Sequence, residues 1–403
     1  MSCGSQTTSF GAKSGVMIPA CLMLFAVVLF PTPLDRAVAQ PLAWVQMNPI
    51  SSPSARAAHD MAYDAQSDRI ILFGGLIGVG GGVQVLGETW AYDFETDTWT
   101  AMNPATEPSA RSSHAMAYDS KSDRVIQFGG VQNVGGTFVE VNDTWAHDFN
   151  TNTWTNRSPA VAPSPRLGHR LAYDAESDRA VLLGGHRGRD PSAAFFDDTW
   201  SYDFNANLWE DRTPPSHPEG GNHGGLVHHE VSDQVILFGG NEATGTKGYT
   251  WAYDIDTNTW TDLRPAAAPS ARFLVGMAYD ADSNRVVLFG GTTGSTETWV
   301  YEVEANEWIR LDLAPAPSGR NGHRMAYDRQ SDRIILFGGG TGLPGTVNSE
   351  TWSFNLNAVP PPPPPPDILW IGVAVAATGA AVAGAILLLR RRKRVRLDER
   401  KDT

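Results

Sequence analysis

Arginine followed three residues later by histidine occurs four times in the 403-residue chain, as Arg56/His59, Arg111/His114, Arg166/His169 and Arg320/His323. A fifth copy pairs Arg272 with Val275, and a sixth has Gly221 and Gly224 flanking Asn222 and His223. A guanidinium offers a rigid fork of donors and an imidazole can donate or accept, so such pairs suit carboxylate or phosphate binding. The same groups also hold the carbonyls of adjoining loops, and recurrence in nearly every copy of a repeat favours that structural use. Asp64/Asp68, Asp119/Asp123, Asp174/Asp178 and Asp328/Asp332 recur with an arginine next, at Arg69, Arg124, Arg179 and Arg333. Aspartates at turns cap their own backbone, which explains them better than calcium does. The two cysteines, Cys3 and Cys21, both precede the expected mature start at residue 40, which leaves no thiol nucleophile, zinc thiolate or disulfide. No catalytic residue, metal or cofactor is expected.

The elements that carry these residues repeat. Gly-Gly stands at 74–75, 129–130, 184–185, 239–240, 290–291 and 338–339, at intervals of 55, 55, 55, 51 and 48. A period near 50 signals one supersecondary unit stacked on copies of itself. Each unit reads as four strands, a to d. In the first, a is 59–64, b is 69–73, a variable loop follows the glycines, c is 89–94 and d begins at Trp99. Trp90 and Tyr92 share a face two residues apart, and β-branched and aromatic residues fill the runs between turn residues. With 40 Gly, 27 Pro and 19% charged residues, the composition is that of short strands and turns.

Tryptophans count the units. Strand c carries Trp90, Trp145, Trp200, Trp251, Trp299 and Trp352, and strand d carries Trp99, Trp154, Trp209, Trp260 and Trp308. The missing sixth is Trp44, whose segment Trp44-Val45-Gln46-Met47-Asn48-Pro49 resembles Trp99-Thr100-Ala101-Met102-Asn103-Pro104. The last unit has no strand d of its own, so the N-terminal strand supplies it and closes an all-β ring of six sheets.

Gly-Gly, then Trp-x-Tyr-Asp, then Trp, preceded by Arg-x-x-His, resembles the kelch repeat, and the whole resembles a six-bladed kelch β-propeller over 40–357. WD-repeat propellers fit less well, since no Trp-Asp dipeptide ends a strand. The resemblance implies that arginines near the channel mouth, here Arg56, Arg111, Arg166, Arg272 and Arg320, bind acidic groups of ligands. Galactose oxidase, a kelch-type enzyme, needs copper and a tyrosine linked to cysteine, and the mature chain has no cysteine. The b–c loops differ from unit to unit. The third is the most distinctive, with His186, Arg187, Arg189, Phe195 and Phe196 placing charge beside two aromatics. With antiparallel strands, the b–c loops and the starts of strand a share one face of the ring and the a–b turns lie on the other. The b–c face is therefore expected to bind the partner.

The ends carry address signals. Residues 16–30 are apolar apart from Pro19, with Lys13 ahead and Ala37-Val38-Ala39 behind, the layout of a signal peptide over 1–39. Residues 358–367 form a proline-rich stalk, and Ile368 to Leu389 carry no charge over 22 residues, enough to cross a bilayer as a helix. Arg390-Arg391-Arg392-Lys393-Arg394 opens a basic tail, 390–403, which the positive-inside rule places in the cytoplasm. Gly372, Ala376, Ala380 and Gly384 form a small-residue stripe that would let this span dimerise. Residues 40–389 carry a net charge of −19, which repels nucleic acid and sets that partner aside. The expectation is a membrane-anchored extracellular binding protein for a surface protein or glycan. A carbohydrate-active surface enzyme of epimerase or mutarotase type is the alternative.

Overall fold

The computed structural model describes residues 42–79, 82–188, 194–292, 294–341 and 346–357. The segments expected to be leader, stalk, membrane span and basic tail, and Arg189, lie outside them. Among the described residues there is no helix, and six four-stranded antiparallel blades form a propeller.

Blade 1 runs Asp60–Asp64 (a), Arg69–Val79 (b), Gly82–Asp93 (c) and Thr98–Ala101 (d), hydrogen-bonded in that order. Strand a begins at Ala115–Asp119, Arg170–Asp174, Gly225–His229, Gly276–Asp280 and Arg324–Asp328 in blades 2 to 6. Each strand a packs beside the next, and that of blade 6 against blade 1, so these strands line the central channel. Blade 6 takes its outer strand from the N-terminus: Trp44–Gln46 pairs antiparallel with Thr351–Phe354, Trp44 opposite Phe354 and Gln46 opposite Trp352. The ring closes as its incomplete last unit requires.

No blade has a core of its own. Met61, Ile70, Leu72, Tyr92 and Trp99 of blade 1 pack against Ala326, Ile335 and Phe337 of blade 6, and each other blade packs likewise on its predecessor. The strand-d tryptophans explain the recurrence. Each buries its ring between blades and donates its indole N–H to a strand-c threonine of the preceding blade: Trp44 to Thr298, Trp99 to Thr351, Trp154 to Thr89, Trp209 to Thr144, Trp260 to Thr199 and Trp308 to Thr250, all at 2.9–3.0 Å. Replacing Thr144 by valine keeps the shape and strands the Trp209 donor. A loss of about 1–3 kcal/mol is expected, read as a lower urea midpoint with unchanged slope.

The paired glycines serve the same junctions. Gly74 has φ +67°, and a Cβ there would stand 2.5 Å from the Arg111 carbonyl of the next blade. They also correct one expectation about the loops. In blades 1, 2 and 4 the segment after the glycines continues as a hairpin, Arg69–Val79 with Gly82–Asp93, Arg124–Val134 with Thr137–Asp148, and Gln234–Glu242 with Gly245–Asp254. A bulge between Phe73 and Gly75, and its equivalents, shifts the register so that pairing resumes beyond the glycines.

Candidate functional site

The five repeated arginines lie under the b–c face, away from the channel lining, and are almost wholly buried. Each guanidinium is used within its own blade. Arg56 donates to the carbonyl oxygens of Gly74 and Ser54 and to Ser54 Oγ, and pairs with Glu88 at 3.2 Å. Arg111 pairs with both carboxylate oxygens of Asp143, at 2.6 and 2.8 Å, and Arg166 with both of Asp198, at 2.5 and 2.7 Å. Arg272 meets Glu297 and Arg320 meets Glu350. Strand-c tryptophans hold four of these acids from the other side, since Trp145, Trp200, Trp299 and Trp352 donate their indole N–H to them. Trp90 has no such bond, and Trp251 packs edge-on to Tyr249. In blade 4, Gly221 replaces the arginine, and Glu242 with Tyr249 lies where that side chain would be.

The third b–c loop is organised around the same arginine. Phe196 lies under the Arg166 guanidinium, 4.2 Å from ring centroid to Cζ, and Phe195 stacks on His186 at 5.8 Å. Arg187 is exposed on this face.

The histidines are packed between neighbouring blades. His59, His114, His169 and His323 are buried edge-on against Phe337, Phe73, Phe128 and Phe289 of the preceding blade. Just before them runs a closed circle of backbone bonds: Ala58 N–H to Gly322 O, Ser113 to Ala58, Gly168 to Ser113, His223 to Gly168, Leu274 to His223 and Gly322 to Leu274, at 2.7–3.0 Å. All six residues have positive φ. Burial above all pushes His59, His114, His169, His223 and His323 well below the ordinary imidazole range, and nearby arginines push further. They are neutral structural groups.

On the other side of this circle lies a cavity of about 460 Å³, lined by strand a from Asp60, Met116, Arg170, Gly225 and Arg324 outward to the a–b turns. Near its rim are Tyr63, Tyr118, Tyr173, His228, Tyr279 and Tyr327. An ion pair between Arg329 of blade 6 and Glu230 of blade 4 stands among the turn residues. At the inner end, Arg324 pairs with Asp60 at 2.9 Å and donates to the His323 carbonyl. Arg170 donates to the carbonyls of Gly224 and His169, and no carboxylate among the described residues pairs with it. Nη2 of both arginines is buried without a hydrogen-bond partner. Asp60 is already engaged by the backbone N–H groups of Met61 and Met116. Two guanidinium groups thus stand at the inner end of the channel, and Arg324 alone pairs with Asp60. Burial first, then the Arg324 charge, pushes Arg170 well below its ordinary range, with Asp60 opposing.

Repetition had pointed to the arginines at the starts of the units. The channel arginines occupy a strand-a position held by Asp60, Ala115, Gly225 and Gly276 in the other blades. Their signal in the sequence is departure from the repeat.

A family model described as the KLHDC2/KLHL20/DRC7 Kelch-repeats domain matches residues 40–240 and 225–360. Kelch domain-containing protein 10 of Xenopus tropicalis is 26% identical over 240 residues, 57% of this chain and 55% of that protein. Mei4-dependent protein 6 of Schizosaccharomyces pombe is 26% identical over 168 residues, 39% of this chain and 23% of that protein. The flagellar outer-arm dynein alpha chain of Chlamydomonas reinhardtii is 25% identical over 287 residues, 64% of this chain and 6% of that protein. The matches therefore span about half or less of each relative.

Proposed function

The chain belongs to the kelch-repeat family, and from that premise we propose that it is a protein-interaction module whose channel takes an acidic group of the partner. The observation that carries this reading is the pair of buried guanidinium groups, Arg170 and Arg324, with unpartnered Nη2 atoms in one cavity. A buried donor without an acceptor costs about 1–3 kcal/mol, more when charged, and a carboxylate reaching the inner end of the channel recovers it. The cavity is large enough for a side chain or a chain end and too small for a folded element. The tyrosines near the rim offer an apolar body with a polar tip to whatever enters.

We further propose that the module is displayed outside a membrane. The leader over 1–39, the uncharged 22 residues of 368–389 and the basic residues after them support this reading. Protease treatment of intact cells that removes the propeller and spares the tail would bear it out, whereas full protection would overturn it.

Selection of a random peptide library on the purified protein tests the channel. Enriched peptides should carry a carboxylate and bind at least tenfold more weakly to Arg170→Gln, with melting temperature unchanged. The double variant Arg187→Glu with Arg189→Glu, in the sequence of the third b–c loop, should bind them normally. Weakening by the double variant alone would place the partner on the b–c face, as the loop sequences suggest, and remove the channel from the reading.

A further inference from the structure

Five blades share one arrangement at the channel rim. The strand-a tyrosine donates its hydroxyl to the turn residue five positions on: Tyr63 to Asp68, Tyr118 to Asp123, Tyr173 to Asp178, Tyr279 to Asn284 and Tyr327 to Asp332, at 2.8–3.1 Å. The same hydroxyl lies near the turn of the preceding blade, where Gln66 N–H meets Tyr118, Asp282 N–H meets Tyr327 and Gln330 N–H meets Tyr63. The phenol is thus a neutral bridge between blades.

Blade 4 has His228 instead. Its Nε2 lies 3.0 Å from Asp233 Oδ1 of its own turn and 3.4 Å from Asp174 Oδ1 of blade 3. Asp174 is buried, and its Oδ1 is fixed by the backbone N–H groups of Glu176 and Ser177, at 2.8 and 3.3 Å. An imidazole nitrogen carries at most one proton and here faces two carboxylate oxygens.

We propose that Asp174, His228 and Asp233 form a binding site for a divalent first-row transition metal such as Zn2+. All three ligand atoms lie within 4.8 Å of one another. Ligand atoms bound at about 2.0–2.1 Å in a tetrahedral site stand roughly 3.3 Å apart, close to the two spacings seen. One imidazole nitrogen with two carboxylates favours a borderline ion over Ca2+, which takes six to eight oxygens. His228 also lines the channel, so the site has an entry path and room for a further ligand from that side. The absence of cysteine after residue 21 points away from a zinc thiolate, but not from an imidazole-carboxylate site. The ring of blades assembles this set from residues 174, 228 and 233, whose spacing matches no short metal motif.

The proposal does not depend on the channel arginines. Its test is titration of the full chain, stripped with chelator, with Zn2+ by calorimetry and with Co2+ by visible absorption. One ion per chain is expected, with a cobalt band in the visible that Zn2+ abolishes. His228→Tyr restores the residue carried by the other five blades and should fold normally, and with Asp233→Asn it should weaken uptake at least 30-fold. Arg170→Gln should bind metal as the parent does, which separates this outcome from failure of the channel reading. Absence of uptake at about 0.5 mM metal, or equal uptake by His228→Tyr, overturns the site.

Discussion

Lowering the pH from 7 to 5 should unfold the propeller cooperatively. His59, His114, His169, His223 and His323 are buried and neutral in the folded chain, with pKa values held well below the ordinary imidazole value. Above about pH 6.5 they are neutral in both states and contribute no pH dependence. Below it the unfolded chain takes up protons that the folded chain refuses, so stability falls as pH falls. Each group contributes at most about 1.4 kcal/mol per pH unit, and five together roughly 7, against a whole-domain stability of about 5–15. His147, pushed down to about 4 chiefly by burial, acts in the same direction. Turn carboxyls with raised values, such as Asp68 and Asp123, oppose the loss only at lower pH, where carboxylates titrate. Thermal melts followed by tryptophan fluorescence at stepped pH check the slope. A melting temperature constant between pH 7 and 5 would contradict the buried neutral ring. His114→Val should reduce the slope by about one fifth of the ring's share, since blade 5 already carries Val275 at the equivalent place.

Removing the closing strand should have an effect of similar size. Trp44 is fully buried, stacks on Phe354 at 4.9 Å, meets Phe289 of blade 5 at 5.4 Å and bonds Thr298. Trp44→Ala is expected to cost about 3–5 kcal/mol, and the melting temperature should fall by roughly 5–8 °C. Deleting 42–48 does more, because it leaves the Thr351–Phe354 edge unpaired and opens the ring, so the protein should fail to fold in place of merely losing a tail. A Trp44→Ala protein that melts with the parent would show that the closing strand is dispensable.

The candidate site was legible only in part. Arg56, Arg111, Arg166, Arg272 and Arg320 were conspicuous because they recur, yet recurrence in a propeller marks what the blades have in common structurally, here in five of the six. Here that is a guanidinium tying the Gly-Gly carbonyl, the preceding serine and a strand-c acid together. A single ligand at the axis, as proposed above, would need the six-fold pattern to break. Arg170, Arg324 and His228 are such breaks, and each sits on strand a facing the channel.

Period, strand alternation and the displaced Trp44 segment were enough to determine six blades and their closure, because these are local patterns repeated until only one architecture satisfies all copies. The turn aspartates were likewise readable, since Asp64 caps the N–H groups of Gln66 and Ser67 within its own turn. Which end of the channel the backbone circle borders, which guanidinium nitrogens lack partners and which carboxylates meet His228 were decided only by the tertiary structure. Those properties arise between blades about 50 residues apart in sequence, where the ring brings together groups that no local pattern relates.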